Sequence, residues 1–263
     1  PLLEAPPIDK NLIALAHHPE LVNRLQQSAP QKGLTALDPD TWMGPASLTG
    51  ALRAAGSVWQ GVEDVTQSET NRVFCAVRPP GHHAEFDSPM GFCLLNSVAI
   101  GAINALNLPN IDRVAILDFD VHHGNGTVDL CREYPEILVC SSFQHPYYPH
   151  RLHDVTAPNI VNTPLEAGAS GADFRRAIDD SWWQAIEGHR PDLIFISAGF
   201  DAHRADPLAQ LNLDASDFAW ITAEIVALAN QCSQGRIVST LEGGYDLRAL
   251  ADSTLAHLEA LTA

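Results

Sequence analysis

The chain has 263 residues, 46% of them hydrophobic, and a formal net charge of −17. That length suits one large α/β domain with a full core, and the composition is that of a folded protein. The acidity argues against binding a nucleic-acid backbone or an anionic membrane surface, and no apolar run reaches the length of a membrane span.

In chain order, Pro6-Pro7 reads as extended and residues 11–27 as helical, with His18-Pro19 inside the helix or at a break. Residues 39–45 read as a loop, with Asp38 and Asp40 beside Trp42, and a helix N-capped near Ser47 runs toward Val65. Residues 73–77 form a short buried strand leading into Arg78-Pro79-Pro80-Gly81-His82-His83-Ala84-Glu85. The two prolines deny helix and hold an extended loop that carries the adjacent histidines. In Met90-Gly91-Phe92-Cys93 the glycine allows another group to approach the backbone closely, and residues 96–106 form a helix.

The central stretch begins at Val114, Ala115, Ile116 and Leu117, an unbroken apolar run of the kind parallel strands show when both faces are covered. It turns polar at Asp118 and breaks at Gly124 and Gly126. Residues i, i+2 and i+4 of an extended chain point the same way, so Asp118, Asp120 and His122 share a face. Carboxylate oxygen with imidazole nitrogen is a ligand set that suits zinc, and such groups are costly to bury unpaired.

Beyond it lie a strand over 137–142, a loop over 144–149 rich in His, Pro and Tyr, and an amphipathic helix over 172–189 whose Trp182 and Trp183 read as packing. A strand over 193–199 ends at Asp201 and His203, a helix spans 216–232, a strand over 236–241 ends at Glu242-Gly243-Gly244-Tyr245, and a last helix follows. This alternation predicts a single three-layer α/β/α domain over residues 1–263 with a mainly parallel sheet. Parallel strands share one carboxyl edge, where ligands bind in open sheets, so His82, His83, Asp118, Asp120, His122, Asp201 and Tyr245 are expected to converge there. The five cysteines (Cys75, Cys93, Cys131, Cys140, Cys232) have no paired spacing and read as reduced, mostly core thiols of a cytoplasmic protein.

Five motifs in order then name a family: Arg78-Pro79-Pro80-Gly81-His82-His83, Met90-Gly91-Phe92-Cys93, the run from Asp118 to Thr127, Ser197 to His203, and Glu242-Gly243-Gly244-Tyr245. Together they resemble the zinc-dependent histone deacetylases, in the branch of class II enzymes and bacterial amidohydrolases that includes acetylpolyamine amidohydrolases. The resemblance implies an arginase/deacetylase-like fold and removal of an acetyl or small acyl group, by metal-activated water, from acetyl-lysine or a small acetylated amine. It implies that Asp120, His122 and Asp201 hold Zn2+, and that His83 is general base and then acid, with His82 assisting and Asp118 orienting His82. Asn125 matches the group behind the second histidine, and Tyr245 the hydroxyl that polarises the amide carbonyl. Gly91 and Phe92 match the substrate tunnel, Tyr148 its opposite wall, and Leu208 the rim position where polyamine-specific relatives can carry an acid. Asp118, Asp120, His122, Ser142 and Phe143 match a site for K+ or Na+. An acidic rim such as Glu85 or Asp87 would still leave room for selecting a cation, and His203 is expected in a structural or rim role.

The family fold also carries an interior strand before the segment aligned here, with no counterpart before Asn11; either residues 1–8 take its place, or the sheet is smaller, or the N-terminal part of the fold is missing. A dinuclear arginase-type enzyme would need a carboxylate at position 124, which is Gly. A catalytically silent acyl-lysine reader would be expected to have lost Tyr245 or a metal ligand, and all are present. Partners expected are the acetylated substrates, with no nucleic acid and no membrane; a homo-oligomer stays open.

Overall fold

The computed structural model describes residues 2–263. In chain order its elements are α1 (Lys10–Ile13), α2 (Leu21–Ser28), β1 (Thr35–Ala36), β2 (Trp42–Met43), α3 (Ser47–Gln67), β3 (Arg72–Cys75), α4 (Ser97–Ala105) and β4 (Val114–Asp118). They continue with α5 (Asn125–Cys131), β5 (Ile137–Gln144), β6 (Ile160–Leu165), α6 (Gly171–His189), β7 (Leu193–Ala198), α7 (Ala215–Cys232), β8 (Ile237–Leu241) and α8 (Leu247–Leu261).

Every residue of β4, β5 and β7 is buried, which is why Val114–Leu117 reads as an unbroken apolar run. Their side chains alternate between two cores. Val114 and Ile116 pack with Val58, Val62, Val98 and Ile100 of α3 and α4, whereas Ala115 and Leu117 pack with Ile178, Trp182, Phe218 and Ile221 of α6 and α7. Helices therefore cover both faces of the sheet, giving the three layers expected.

All pairings in the six-stranded sheet are parallel, in the order β3-β8-β7-β4-β5-β6. From β4 the chain steps outward through β5 to β6, then returns to the other side of β4 with β7 and β8. The connections diverge between β4 and β7, where Asp118 pairs in register with Ser197. A crevice opens beyond the carboxyl ends at such a point, and it fixes the place of the site.

Several local expectations are corrected. The helix over 11–27 is two helices, and His18-Pro19 lies in the break between them, one of the two placements expected; the first helix already ends at Ile13. Ser47 does not cap α3: Ala46 holds that position, and Ser47 Oγ accepts from Gly44 N–H at 2.9 Å instead. Strand β6 has no counterpart among the expected elements, because Pro164 interrupts it; it lies at the sheet edge, where a missing donor is tolerated. Residues 2–8 do not join the sheet. Ile8 N–H bonds to Leu52 O on α3, and β3 is at the edge with β8 as its neighbour among the described residues, so residues 2–8 do not take the place of the interior strand.

Candidate active site

The loops after β3, β4, β7 and β8 meet as their strands require. Gly81 and His82 donate backbone N–H groups to Glu242 Oε2 at 2.6 and 3.2 Å, tying the histidine loop to the end of β8. His82 Nδ1 lies 2.9 Å from Asp118 Oδ2. His83 Nδ1 lies 2.7 Å from Asn125 Oδ1. The two rings lie 4.0 Å apart between centroids, tilted by 42°. Two glycines make this packing feasible. A Cβ on Gly91, whose φ is +57°, would sit 2.3 Å from His83 Cδ2, and one on Gly124 would sit 2.3 Å from Asp118 Oδ2. Position 124 thus lacks the carboxylate a second metal would want and has no room for it.

Asp120, His122 and Asp201 are buried, and one ligand atom from each lies within 4.8 Å of the others. His122 Nδ1 is 3.1 Å from Asp120 Oδ1 and 3.2 Å from Asp201 Oδ2. One ring hydrogen serves Asp120, so Asp201 Oδ2 is left buried without a donor. Ligands about 2.0–2.1 Å from a tetrahedral zinc stand roughly 3.3 Å apart, close to both separations. Two buried carboxylates, one imidazole and an orphaned oxygen therefore fit a divalent cation.

The electrostatics divide the tandem histidines. Burial opposes a charge on His82, but Asp120 and Asp118 outweigh it and hold the imidazole up at about 10. His83 is driven well below the ordinary range by burial and by the charges of His82 and His122, so it stays neutral at neutral pH. Burial beside Asp201 and Asp120 pushes the Tyr245 phenol up, so it keeps its proton. Burial, then the charge of Asp120, raises the Asp201 carboxyl to about 6.

A cavity of about 280 Å³ leads to these groups, lined by His83, Gly91, Phe92, His122, Tyr148, Leu208 and Tyr245, as expected, and also by Asp40, Tyr147 and His150. Phe92 meets Tyr245 edge-on at 5.9 Å, and Tyr148 stands at 89° to His83 at 5.2 Å. Tyr147 stacks on His122 at 5.8 Å and donates its hydroxyl to Leu208 O at 3.0 Å. Its place beside Tyr148 in a proline-flanked pair was the available signal for it. Asp40 was visible only as a loop acid; Phe92 N–H bonding to Thr41 Oγ1 brings that loop to the cavity.

One expectation does not hold. Glu85 and Asp87 form no free acidic rim: Glu85 is buried between Asn125 and Arg151, and Asp87 pairs with Arg24. His203 lies outside the cavity lining and accepts from Ala205 N–H, which is the structural one of the two roles expected for it. Ser142 and Phe143 are buried on β5, just past the Asp118–Ser141 pair, so the residues expected around a monovalent cation occupy two adjacent strand ends. Among the described residues no helix is long and apolar enough to cross a membrane.

The histone deacetylase domain model matches residues 2–261, and the chain belongs to the histone deacetylase family. It is 40% identical over 265 residues to an uncharacterized protein of Synechocystis sp., covering 97% of this chain and 84% of that one. It is 39% identical to type-2 histone deacetylase 2 of Dictyostelium discoideum, covering 84% of this chain but 14% of that protein. A probable deacetylase of Methanothermobacter thermautotrophicus is 35% identical, over 86% of this chain and 68% of its own. The crystal structure of the HDA15 HD domain superposes with a TM-score of 0.92 at 30% identity, covering 98% of this chain and 74% of that one. Family membership supports deacetylase chemistry, a hydrolysis of acetylated substrates.

Proposed function

We propose that the chain is a zinc-dependent amidohydrolase that removes an acetyl or other small acyl group from acetyl-lysine or a small acetylated amine. One observation carries the reading: the Asp120, His122, Asp201 cluster lies at a cavity that His83 and Tyr245 also line. Zinc held by Asp120, His122 and Asp201 would lower the pKa of water to about 7 and polarise a carbonyl.

This chain's own groups supply the rest. With Nδ1 committed to Asn125, His83 offers Nε2 to the proton of the attacking water and returns that proton to the leaving amine. His82, charged against Asp118, stabilises the negative charge that develops. The Tyr245 hydroxyl donates to the carbonyl oxygen as it becomes an oxyanion. Phe92 and Tyr148 wall the aliphatic stem of the substrate and keep water from it. A K+ or Na+ ion at Asp118, Asp120, His122, Ser142 and Phe143 belongs to the same reading, as does a cytoplasmic setting without nucleic-acid partners. Asp40 in the cavity wall favours a second reading, an acetylpolyamine substrate with a further positive charge.

The deciding experiment offers zinc-loaded protein an acetyl-lysine peptide, acetylputrescine and acetylspermidine, and measures acetate. Release from at least one is expected. No release from any of them, at a full equivalent of zinc per chain, refutes the proposal.

A further inference from the structure

We propose that Glu85, acting through Asn125, sets the tautomer of His83 and is a positioning residue for the proton transfer. The consequence for catalysis rests on the function proposed above; the tautomer itself rests on hydrogen-bond geometry alone.

A side-chain amide can face either way, so something must decide which atom of Asn125 meets His83. Asn125 Nδ2 lies 2.7 Å from Glu85 Oε1, while Arg151 Nη2 lies 2.8 Å from Glu85 Oε2. Glu85, ion-paired through Oε2 with the Arg151 guanidinium, presents acceptor oxygens only. Only the NH2 end of Asn125 can face it. A flipped amide would set oxygen against oxygen at 2.7 Å, and Asn125 is fully buried, so no water would relieve the clash. The remaining Nδ2 hydrogen has His83 O at 3.3 Å and Met90 Sδ at 3.2 Å.

Oδ1 of Asn125 must therefore face His83 Nδ1 at 2.7 Å, and an acceptor there requires a hydrogen on Nδ1. A neutral imidazole with its hydrogen on Nδ1 has its lone pair on Nε2. A free amide would also admit the opposite tautomer, whose Nε2–H cannot take a proton from water. Glu85 touches neither the His83 ring nor the cavity, yet it decides which ring nitrogen is basic.

The test uses three zinc-loaded variants of the whole chain and a fourth, His83→Gln, for assignment. Asn125→Asp sets a carboxylate against Glu85 and is expected to lower kcat roughly 10- to 100-fold with little change in KM. Adding Glu85→Gln turns an amide N–H toward the carboxylate introduced at position 125, and the double variant is expected to recover most of the loss. A double variant no faster than Asn125→Asp overturns the proposal. The third variant, Glu85→Leu, is read by the ¹⁵N spectrum of labelled histidine, with the His83 signals identified by their loss in His83→Gln. A hydrogen on Nδ1 is expected in the wild type and a tautomer mixture in Glu85→Leu; an unchanged tautomer in Glu85→Leu overturns it. The spectrum needs no turnover, so it stands even where the substrate panel fails.

Discussion

His82 Nδ1 and Asp118 Oδ2 lie 2.9 Å apart with both side chains buried, joining the loop after β3 to the end of β4. The other carboxylate oxygen, Oδ1, accepts from Asp120 N–H at 3.1 Å, so one aspartate both holds a charge on His82 and shapes the chain at a metal-site residue. Asp118→Asn separates these duties. Asparagine can keep Oδ1 for the Asp120 amide but offers His82 no countercharge. The expected outcome is a fall in kcat of roughly 10- to 100-fold with zinc content unchanged. Steady-state kinetics beside elemental analysis would check it, and wild-type turnover would remove the pair from the mechanism.

Tyr245 is held by its backbone as well as its ring. Its N–H bonds to Asp206 Oδ2 at 2.7 Å, and its ring meets Phe92 at 5.9 Å. Tyr245→Phe keeps both contacts and removes one hydroxyl. Loss of a donor to a developing oxyanion typically lowers kcat ~100- to 1000-fold. KM is expected to stay within a few-fold and the melting temperature to stay close to wild type. A variant turning over at the parental rate would assign the oxyanion to another donor.

Asp201→Ala takes away the oxygen that has no donor and the partner of Val121 N–H at 2.9 Å. With one carboxylate and one imidazole left, zinc affinity is expected to collapse, to well below a full equivalent after dialysis. Wild-type protein stripped by a chelator should melt at a lower temperature, because bound metal stabilises the folded state by mass action. Retention of a full equivalent by Asp201→Ala would exclude Asp201 as a ligand.

The pattern of these residues was legible because chain-local segments carry it. Asp118, Asp120 and His122 occupy alternate positions after a buried strand, and His82-His83 follow a double proline, so strand polarity alone predicts their meeting. What escaped depends on contacts distant in sequence. Glu85 reads as a rim acid until Arg151 and Asn125 are seen to enclose it. Asp40 reaches the cavity through Thr41 and Phe92, 51 residues apart. Pro164 hid β6, since a proline counts against a strand until the strand is known to lie at an edge.

Leu208 lines the cavity mouth at 38% exposure, with its backbone N–H on Asp206 Oδ1 and its carbonyl accepting from Tyr147. Its backbone is thus fixed while its side chain is free to be replaced. Leu208→Glu sets a carboxylate beside the path of a substrate's second amine, in the same cavity as Asp40. The ratio of kcat/KM for acetylspermidine to that for an acetyl-lysine peptide is expected to rise on the order of tenfold, about 1.4 kcal/mol. The gain should shrink as salt is raised, because the pair is partly exposed. An unchanged ratio at low salt would mean that Leu208 does not face the distal amine.

Two buried histidines outside the cavity lining contribute to how the fold responds to acid. His17 donates from Nδ1 to Glu85 O and accepts at Nε2 from Asn96 N–H, each at 2.9 Å. His257 donates from Nδ1 to Thr222 Oγ1, whose own hydrogen goes to Phe218 O, and accepts at Nε2 from Ser239 Oγ. Each ring is thus held in one neutral tautomer, and burial lowers both from 6.5 to about 4. Above 6.5 neither state binds the extra proton and pH has no effect through them. Between 6.5 and about 4 the unfolded chain takes up protons that the folded chain refuses, so stability falls with pH, by on the order of 3 kcal/mol per histidine at the lower limit. His257→Gln removes one such group. Urea unfolding at pH 7.5 and pH 5 should therefore show a smaller loss of stability on acidification in the variant than in the wild type, by about 2 kcal/mol. An equal loss in both would show that His257 titrates normally inside the fold.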